Sequence, residues 1–332
     1  MMKSIVKKLL DKKEKTMPIL SFPAIQLLNV KVSELIASAQ MQADAMVAIR
    51  NRCDIGVSLS VMDLSVEAEA FGAEICFSDD EIPTVTKGII DDITEVESIA
   101  VPKVGDGRTG RCVEYVAMAK KAITDIPVFC GVIGPYSLAG RLFNMTDLMM
   151  ECYDSPDEVR ILLSKARDFI IEYIKAFKAA GADGVVMAEP AAGLLSPDMA
   201  AEFSNTFVNE IIDAVGDENF VFCYHNCGNA VADMPKELSE LKADIFHFGN
   251  AISLAKIIPQ MPADRVIMGN VDPVLLKGGS PDEVRALTET IFRECSQYDN
   301  FMLSTGCDIP AHAKWENIDA YFETVKKLYA QG

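Results

Sequence analysis

From residue 127 onward the chain alternates short apolar runs with longer stretches of helical spacing, and that alternation constrains the fold more than any other feature. Strand-like runs occupy 127–134, 183–189, 220–225, 244–249, 266–271 and 301–306. Helical runs lie between and after them, at about 138–151, 156–180, 197–215, 231–241, 254–260, 281–297 and 315–330. Several open on a cap followed by acids, as at Ser155-Pro156-Asp157-Glu158 and Ser280-Pro281-Asp282-Glu283. Strict alternation implies parallel strands joined by right-handed crossovers.

The earlier chain adds two strand candidates, 17–22 between Pro18 and Pro23 and 53–60, with helical runs at about 32–51, 66–71 and 113–123. The total is then eight strands alternating with helices, the count of a TIM (β/α)8 barrel, expected here as one domain over 1–332. An open doubly wound sheet is the alternative, but the glycine-rich first turn of a dinucleotide fold is missing. The trace Gly105-Asp-Gly107-Arg-Thr-Gly110 follows no strand run and does not supply it. Residues 74–110, rich in Asp, Gly and Pro, read as a hairpin and loop excursion. Residues 1–16 read as a short amphipathic surface helix with Ile5, Leu9 and Leu10 inward.

The formal net charge of −18 argues against nucleic acid and anionic membrane surfaces as partners, since both want clustered Lys and Arg. No apolar run approaches the roughly 18 residues of a membrane span, and the lysine-rich N-terminus lacks the apolar stretch of a secretory signal. Nine cysteines without a framework spacing point to a reducing compartment. The expectation is a cytoplasmic protein.

Chemistry concentrates at the ends of the strand runs. The run 220–225 ends in His225, with Cys227 two residues on, and strand periodicity of two sends both side chains to one side. Cys307 stands in the equivalent place after 301–306. Three soft ligands with one position open is the arrangement of a catalytic zinc; the alternative is that the cysteines are small core residues. Glu189, at the mouth of its strand, is read either as a fourth ligand or substrate-orienting acid, or as a cap on a helix. His247 faces the barrel lumen or the helix layer, and His312 is a loop residue. No nucleophile elbow supports a serine triad.

The stretches Gly134–Gly140 (GPYSLAG), Gly269–Pro273 (GNVDP) and Ser304–Asp308 (STGCD), with the strand around His225, resemble the uroporphyrinogen decarboxylase superfamily over about residues 17–330. The His-x-Cys pair with a distant Cys resembles its cobamide-dependent methyltransferase branch, typified by the methylcobamide:coenzyme M enzymes. The resemblance implies a TIM barrel and zinc held by His225, Cys227 and Cys307. It also implies methyl transfer between a corrinoid such as methylcobalamin and a zinc-activated thiol such as coenzyme M. No Asp-x-His-x-x-Gly cobalamin motif is present, so the corrinoid is expected on a partner corrinoid protein. Arg141, Asn229, Asn250 and Asn270 are candidates to bind the anionic tail of a thiol. Oligomeric state is left open, a homodimer among the options.

Alternatives remain. Transfer in the opposite sense implies a demethylase acting on a methylated small molecule such as an aryl methyl ether. The decarboxylases carry an arginine-containing stretch after the first strand. The matching residues 22–29 hold no arginine, although Asp63 falls where those enzymes keep an aspartate for the pyrrole NH groups. A non-enzymatic reading is a zinc-stabilised docking module, which a closed fourth protein ligand would favour.

Overall fold

The computed structural model describes residues 2–330. Strand β1 (Ser58–Leu59) is followed by an antiparallel hairpin of β2 (Glu74–Cys76) and β3 (Thr84–Lys87). Then come β4 (Val128–Ile133), β5 (Gly184–Ala188), β6 (Val221–Asn226), β7 (Ile245–Phe248), β8 (Val266–Val271) and β9 (Phe301–Thr305). Apart from the hairpin, these strands pair in parallel in chain order, giving a curled sheet of seven. The architecture is a TIM-type barrel. The hairpin falls within the expected excursion 74–110, but that stretch also holds a 3-10 helix, Ile93–Ser98, and the next helix already starts at Thr109.

The stretch 17–22 departs from the eight-strand count. It belongs to a fully buried run, 16–25, but makes no ladder. It bridges β1 and β9 largely through side chains and loop ends instead. Gly56 N–H donates to Thr16 O at 2.9 Å, and Ile309 N–H donates to Ile19 O at 2.9 Å. Ile19 N–H donates to Thr305 Oγ1 at 3.2 Å, and Ser304 Oγ donates to Met17 O at 2.8 Å. Pro18 has no N–H to give, which rules out a regular ladder there. The segment is an eighth stave, pinned rather than paired.

Period-two alternation sorts the side chains. Phe129, Val186, Val221, Ile245, Met268 and Met302 meet in one apolar cluster inside the barrel. Their neighbours Phe222, Tyr224, Phe246 and Phe248 face the helices. The N-terminal helix Ser4–Leu10 joins the inner cluster through Val6 and Leu9, with Ile5 and Leu10 only flanking it. Lys3 Nζ donates to Phe220 O at 2.7 Å and to Asp244 Oδ2 at 2.8 Å, residues just before β6 and β7. The helix therefore closes the N-terminal end of the barrel, and the polar strand ends lie at the other.

Several helical runs are interrupted. The run 138–151 is two helices, Pro135–Leu142 and Met145–Asp154, because Asn144 leaves the helix to accept from Thr146 N–H at 2.9 Å. The run 197–215 carries a π turn over Ala201–Asn205. The run 231–241 breaks at Met234 before Pro235 into Asn229–Asp233 and Pro235–Ser239. An additional helix, Pro273–Gly278, starts on Asp272, which caps it. Ser280 makes the expected capping box with Glu283, whereas Ser155 makes no side-chain cap. No described helix is long and apolar enough to cross a membrane.

Candidate metal centre

His225 is the third lumen-facing residue of β6 after Val221 and Cys223, so it tops the apolar interior where the strand ends. His225 is 2% exposed, while Cys227 and Cys307 are half-buried. Their ligand atoms lie within 4.8 Å of one another, and among the described residues these three form the group able to hold a metal ion. Tetrahedral zinc, with Zn–N about 2.1 Å and Zn–S about 2.3 Å, sets nitrogen and sulfur about 3.6 Å apart. His225 Nε2 and Cys307 Sγ are 3.6 Å apart. The donor set and its spacing fit zinc.

The two thiols are coupled. A hydrogen bond from Cys307 brings Cys227 down to about 7, and the same bond with burial pushes Cys307 up to about 12.

Close backbone approaches place the cysteine turn. A Cβ on Gly228 would meet Gly193 Cα at 2.5 Å, so the turn after β6 lies directly on the 3-10 helix Pro190–Leu194. A Cβ on Gly249 would meet Cys227 Cα at 2.6 Å.

Behind His225 stands a second histidine. His247 pairs in register with it across β6 and β7. The two Nδ1 atoms are 2.9 Å apart, and His225 Nδ1 is 3.2 Å from His247 O. His247 Nε2 lies 2.8 Å from Ser304 Oγ. Of the two orientations open to His247, it takes the lumen. Burial and the neighbouring His225 hold it well below the ordinary histidine range. Its parity with Ile245 was the available signal, since Ile245 lines the lumen.

Glu189 is absent from the metal group and takes the capping role. Fully buried, it accepts from Tyr136 N–H at 2.9 Å and Ser137 N–H at 2.6 Å, the first turn of Pro135–Leu142. Parity explains this: Glu189 follows Val185 and Met187, which face the helices. Burial raises its carboxyl to about 7 against those hydrogen bonds.

Asp63 is bound to Arg108, a buried guanidinium that also holds Glu69 and donates to Ser65 Oγ at 2.8 Å. Neither Arg108 nor Glu67 is evident from the sequence alone. Glu67 is fully buried, accepts from Ile133 N–H at 2.9 Å, leaves Oε2 without a partner, and is raised to about 7 by burial. Arg141 is half-buried near Glu67 and Asp63; desolvation lowers it, and no hydrogen bond from its guanidinium to protein is found among the described residues.

The asparagines diverge. Asn270 spends its amide N–H groups on Gly249 O at 2.8 Å and Ile252 O at 2.9 Å, strapping the loop after β7. Asn250 is exposed and lies against Gly306, whose added Cβ would meet its backbone N at 2.7 Å. Asn250 and Asn270 both line an outer groove beside helix Pro281–Cys295. Asn229 is exposed at the start of its 3-10 helix. His312 is outside the metal group, exposed and 3.7 Å from Asp80.

Comparison with known proteins gives a consistent picture. The profile of the uroporphyrinogen decarboxylase (URO-D) family matches residues 17–328. A methylcobamide:CoM methyltransferase, MtbA, from Methanosarcina mazei is 27% identical over 275 residues, covering 80% of this chain and 77% of that protein. A methylated-thiol–coenzyme M methyltransferase from the same organism is 23% identical over 296 residues, covering 87% and 77%. The solved structure of a methyltransferase from Methanosarcina mazei superposes with a TM-score of 0.86 at 23% identity, over 98% of this chain and 99% of that one, so the fold is shared.

Proposed function

The chain belongs to the uroporphyrinogen decarboxylase family, and on that footing we propose that it is a zinc-dependent methyltransferase moving a methyl group between a corrinoid and a small thiol such as coenzyme M. The observation that carries the reading is the convergence of His225, Cys227 and Cys307 at the C-terminal end of the barrel, at zinc spacing. That end is where such barrels do chemistry. The similarity to the two coenzyme M methyltransferases supports the same reaction class.

His225 would offer Nε2, and Cys227 and Cys307 their sulfurs. A zinc ion held by these three would keep one coordination position for a substrate sulfur and would supply the Lewis acidity that favours its thiolate form. In the thiol-methylating direction a C–S bond forms as the Co–C bond breaks. The electron pair stays on the corrinoid cobalt, and the thiol proton leaves to solvent. Arg141, which has no hydrogen-bond partner among the described residues, is the anchor for an anionic tail; a guanidinium stays charged even when desolvated. Asp63 and Glu189 hold Arg108 and a helix N-terminus respectively, and act as supports.

The corrinoid arrives on a partner protein. The large hydrophobics Phe77, Val101, Met150, Tyr153, Leu194 and Val274 are exposed, and exposed apolar side chains suit contact with a protein partner. All nine cysteines are unpaired, as the reducing cytoplasm would keep them.

The decarboxylase reading loses its aspartate, since Asp63 is already neutralised by Arg108. The docking-module reading wants a fourth protein ligand, and the metal group holds three.

The test is anaerobic mixing of the purified protein with methylcobalamin and a panel of thiols, read in the visible spectrum. Chelator-sensitive loss of the methyl–cobalt band with one thiol is expected, and Cys307→Ala should abolish it. Full activity in Cys307→Ala overturns the assignment. If no thiol reacts, methylation of reduced cobalamin by a methyl ether would establish the reverse direction instead.

A further inference from the structure

We infer that His247 and Ser304 are positioning residues that fix the tautomer of His225, presenting the Nε2 lone pair toward the metal site before any metal arrives. The inference rests on the zinc reading for its purpose but on hydrogen-bond logic for its content.

The logic starts from an acceptor with no choice. Met17 O is a carbonyl, so the 2.8 Å contact with Ser304 Oγ requires the serine to donate its single proton. Ser304 Oγ can then only accept at its 2.8 Å contact with His247 Nε2, so that nitrogen carries a hydrogen. His247 is 0% exposed and, among the described residues, bonds to no carboxylate, so its ring is neutral and Nδ1 is a bare acceptor. His225 Nδ1 faces that acceptor at 2.9 Å and His247 O at 3.2 Å, so it must donate. A histidine that ligates a metal does so as the singly protonated ring, and that one proton is already on Nδ1. Nε2, 3.6 Å from Cys307 Sγ, is left with its lone pair free.

The relay has a structural origin outside the strand that carries the ligand. It begins on the N-terminal stave, passes through β9, crosses to β7, and ends on β6. Orienting partners of this kind set ring direction and ligand basicity, and their loss typically weakens metal binding 10- to 100-fold.

Long-range proton–nitrogen correlation spectra read the tautomers directly in the metal-free protein, and the chain has only three histidines to assign. His225 is expected in the Nδ1–H form and His247 in the Nε2–H form. Ser304→Ala should let both rings sample mixed tautomers. It should also lower zinc affinity by roughly tenfold or more, measured by competition with a chromophoric chelator. His247→Phe should lower it further, whereas His247→Asn, whose Oδ1 can replace the lost acceptor, should recover part of the loss. Thermal unfolding of each metal-free variant separates misfolding from a ligand effect, and Ser304→Ala keeps the test open if His247→Phe fails to fold. An Nε2–H tautomer on His225 in the wild-type protein, or wild-type zinc affinity in folded Ser304→Ala and His247→Phe, overturns the inference. A wild-type protein that binds no zinc overturns the metal reading while the spectra still decide the relay.

Discussion

Gly249 lies against Cys227 so closely that a Cβ on the glycine would come within 2.7 Å of the cysteine's own Cβ. The missing side chain is what lets the second ligand reach the site. Gly249→Ala should displace Cys227 and weaken zinc binding by roughly tenfold or more, with far-UV dichroism unchanged. Gly278→Ala, at a glycine with nothing within 4 Å, should leave zinc affinity alone. Equal affinities in the two variants would remove the steric argument.

The buried carboxyl of Glu67 makes stability depend on pH. Its folded value is raised from 4.5 to about 7, chiefly by burial. Between those values the native state holds a proton that the unfolded chain has released, so stability falls as pH rises through this window and levels off above it. Glu67→Gln should match the wild type near pH 4 and exceed it at pH 8, by up to about 3 kcal/mol. The amide fits because Oε1 keeps the Ile133 N–H while Oε2 has no partner to lose. Urea midpoints across pH measure the difference, and parallel curves for the two proteins would contradict it.

For Arg141, truncation to Met should raise KM for a thiol with an anionic tail by roughly tenfold or more. The value for a neutral thiol of similar size should hardly move. An equal loss with both thiols would mean that Arg141 shapes the pocket and does not grip the tail.

Arg108 is 8% exposed and neutralises Asp63. Replacing Arg108 with Met strands a buried carboxylate and should cost about 3–5 kcal/mol of stability. Adding Asp63→Asn should recover part of that cost. Asp63→Asn alone should lower the denaturation midpoint without changing kcat per folded molecule. A large fall in kcat at unchanged stability would return Asp63 to the catalytic machinery.

Legibility in the sequence followed the range of the interactions. The strands β4 to β9 were readable because each is a local apolar run of the right length. The grouping of His225, Cys227 and Cys307 was readable because period two and strand ends are local properties too. The first stave looked like a strand by composition, yet its partners are side chains on β9 and its neighbouring loops. The orientation of His247 needed the parity of Ile245 to be known as lumenal. Glu189 turned outward on the same parity rule, to cap a helix about fifty residues earlier in the chain. The partnership of Asp63 with Arg108 spans 45 residues and has no local pattern. Helix breaks at Asn144 and Met234 depended on whether a cap or a proline would override an otherwise continuous helical spacing.

The pinned stave also sets a timetable for biosynthesis. Thr16 and Met17 leave the ribosome long before Leu303 and Ser304, the partners that each meets 287 residues later. Until β9 is made, the first-made stave has nothing to hold on that side. In the same interval His247 lacks its serine and the site lacks Cys307. A nascent chain can therefore carry six of its seven ladder strands and still be unable to retain metal. On the zinc reading, loading waits for β9, and fragments ending before residue 301 should fail to capture zinc.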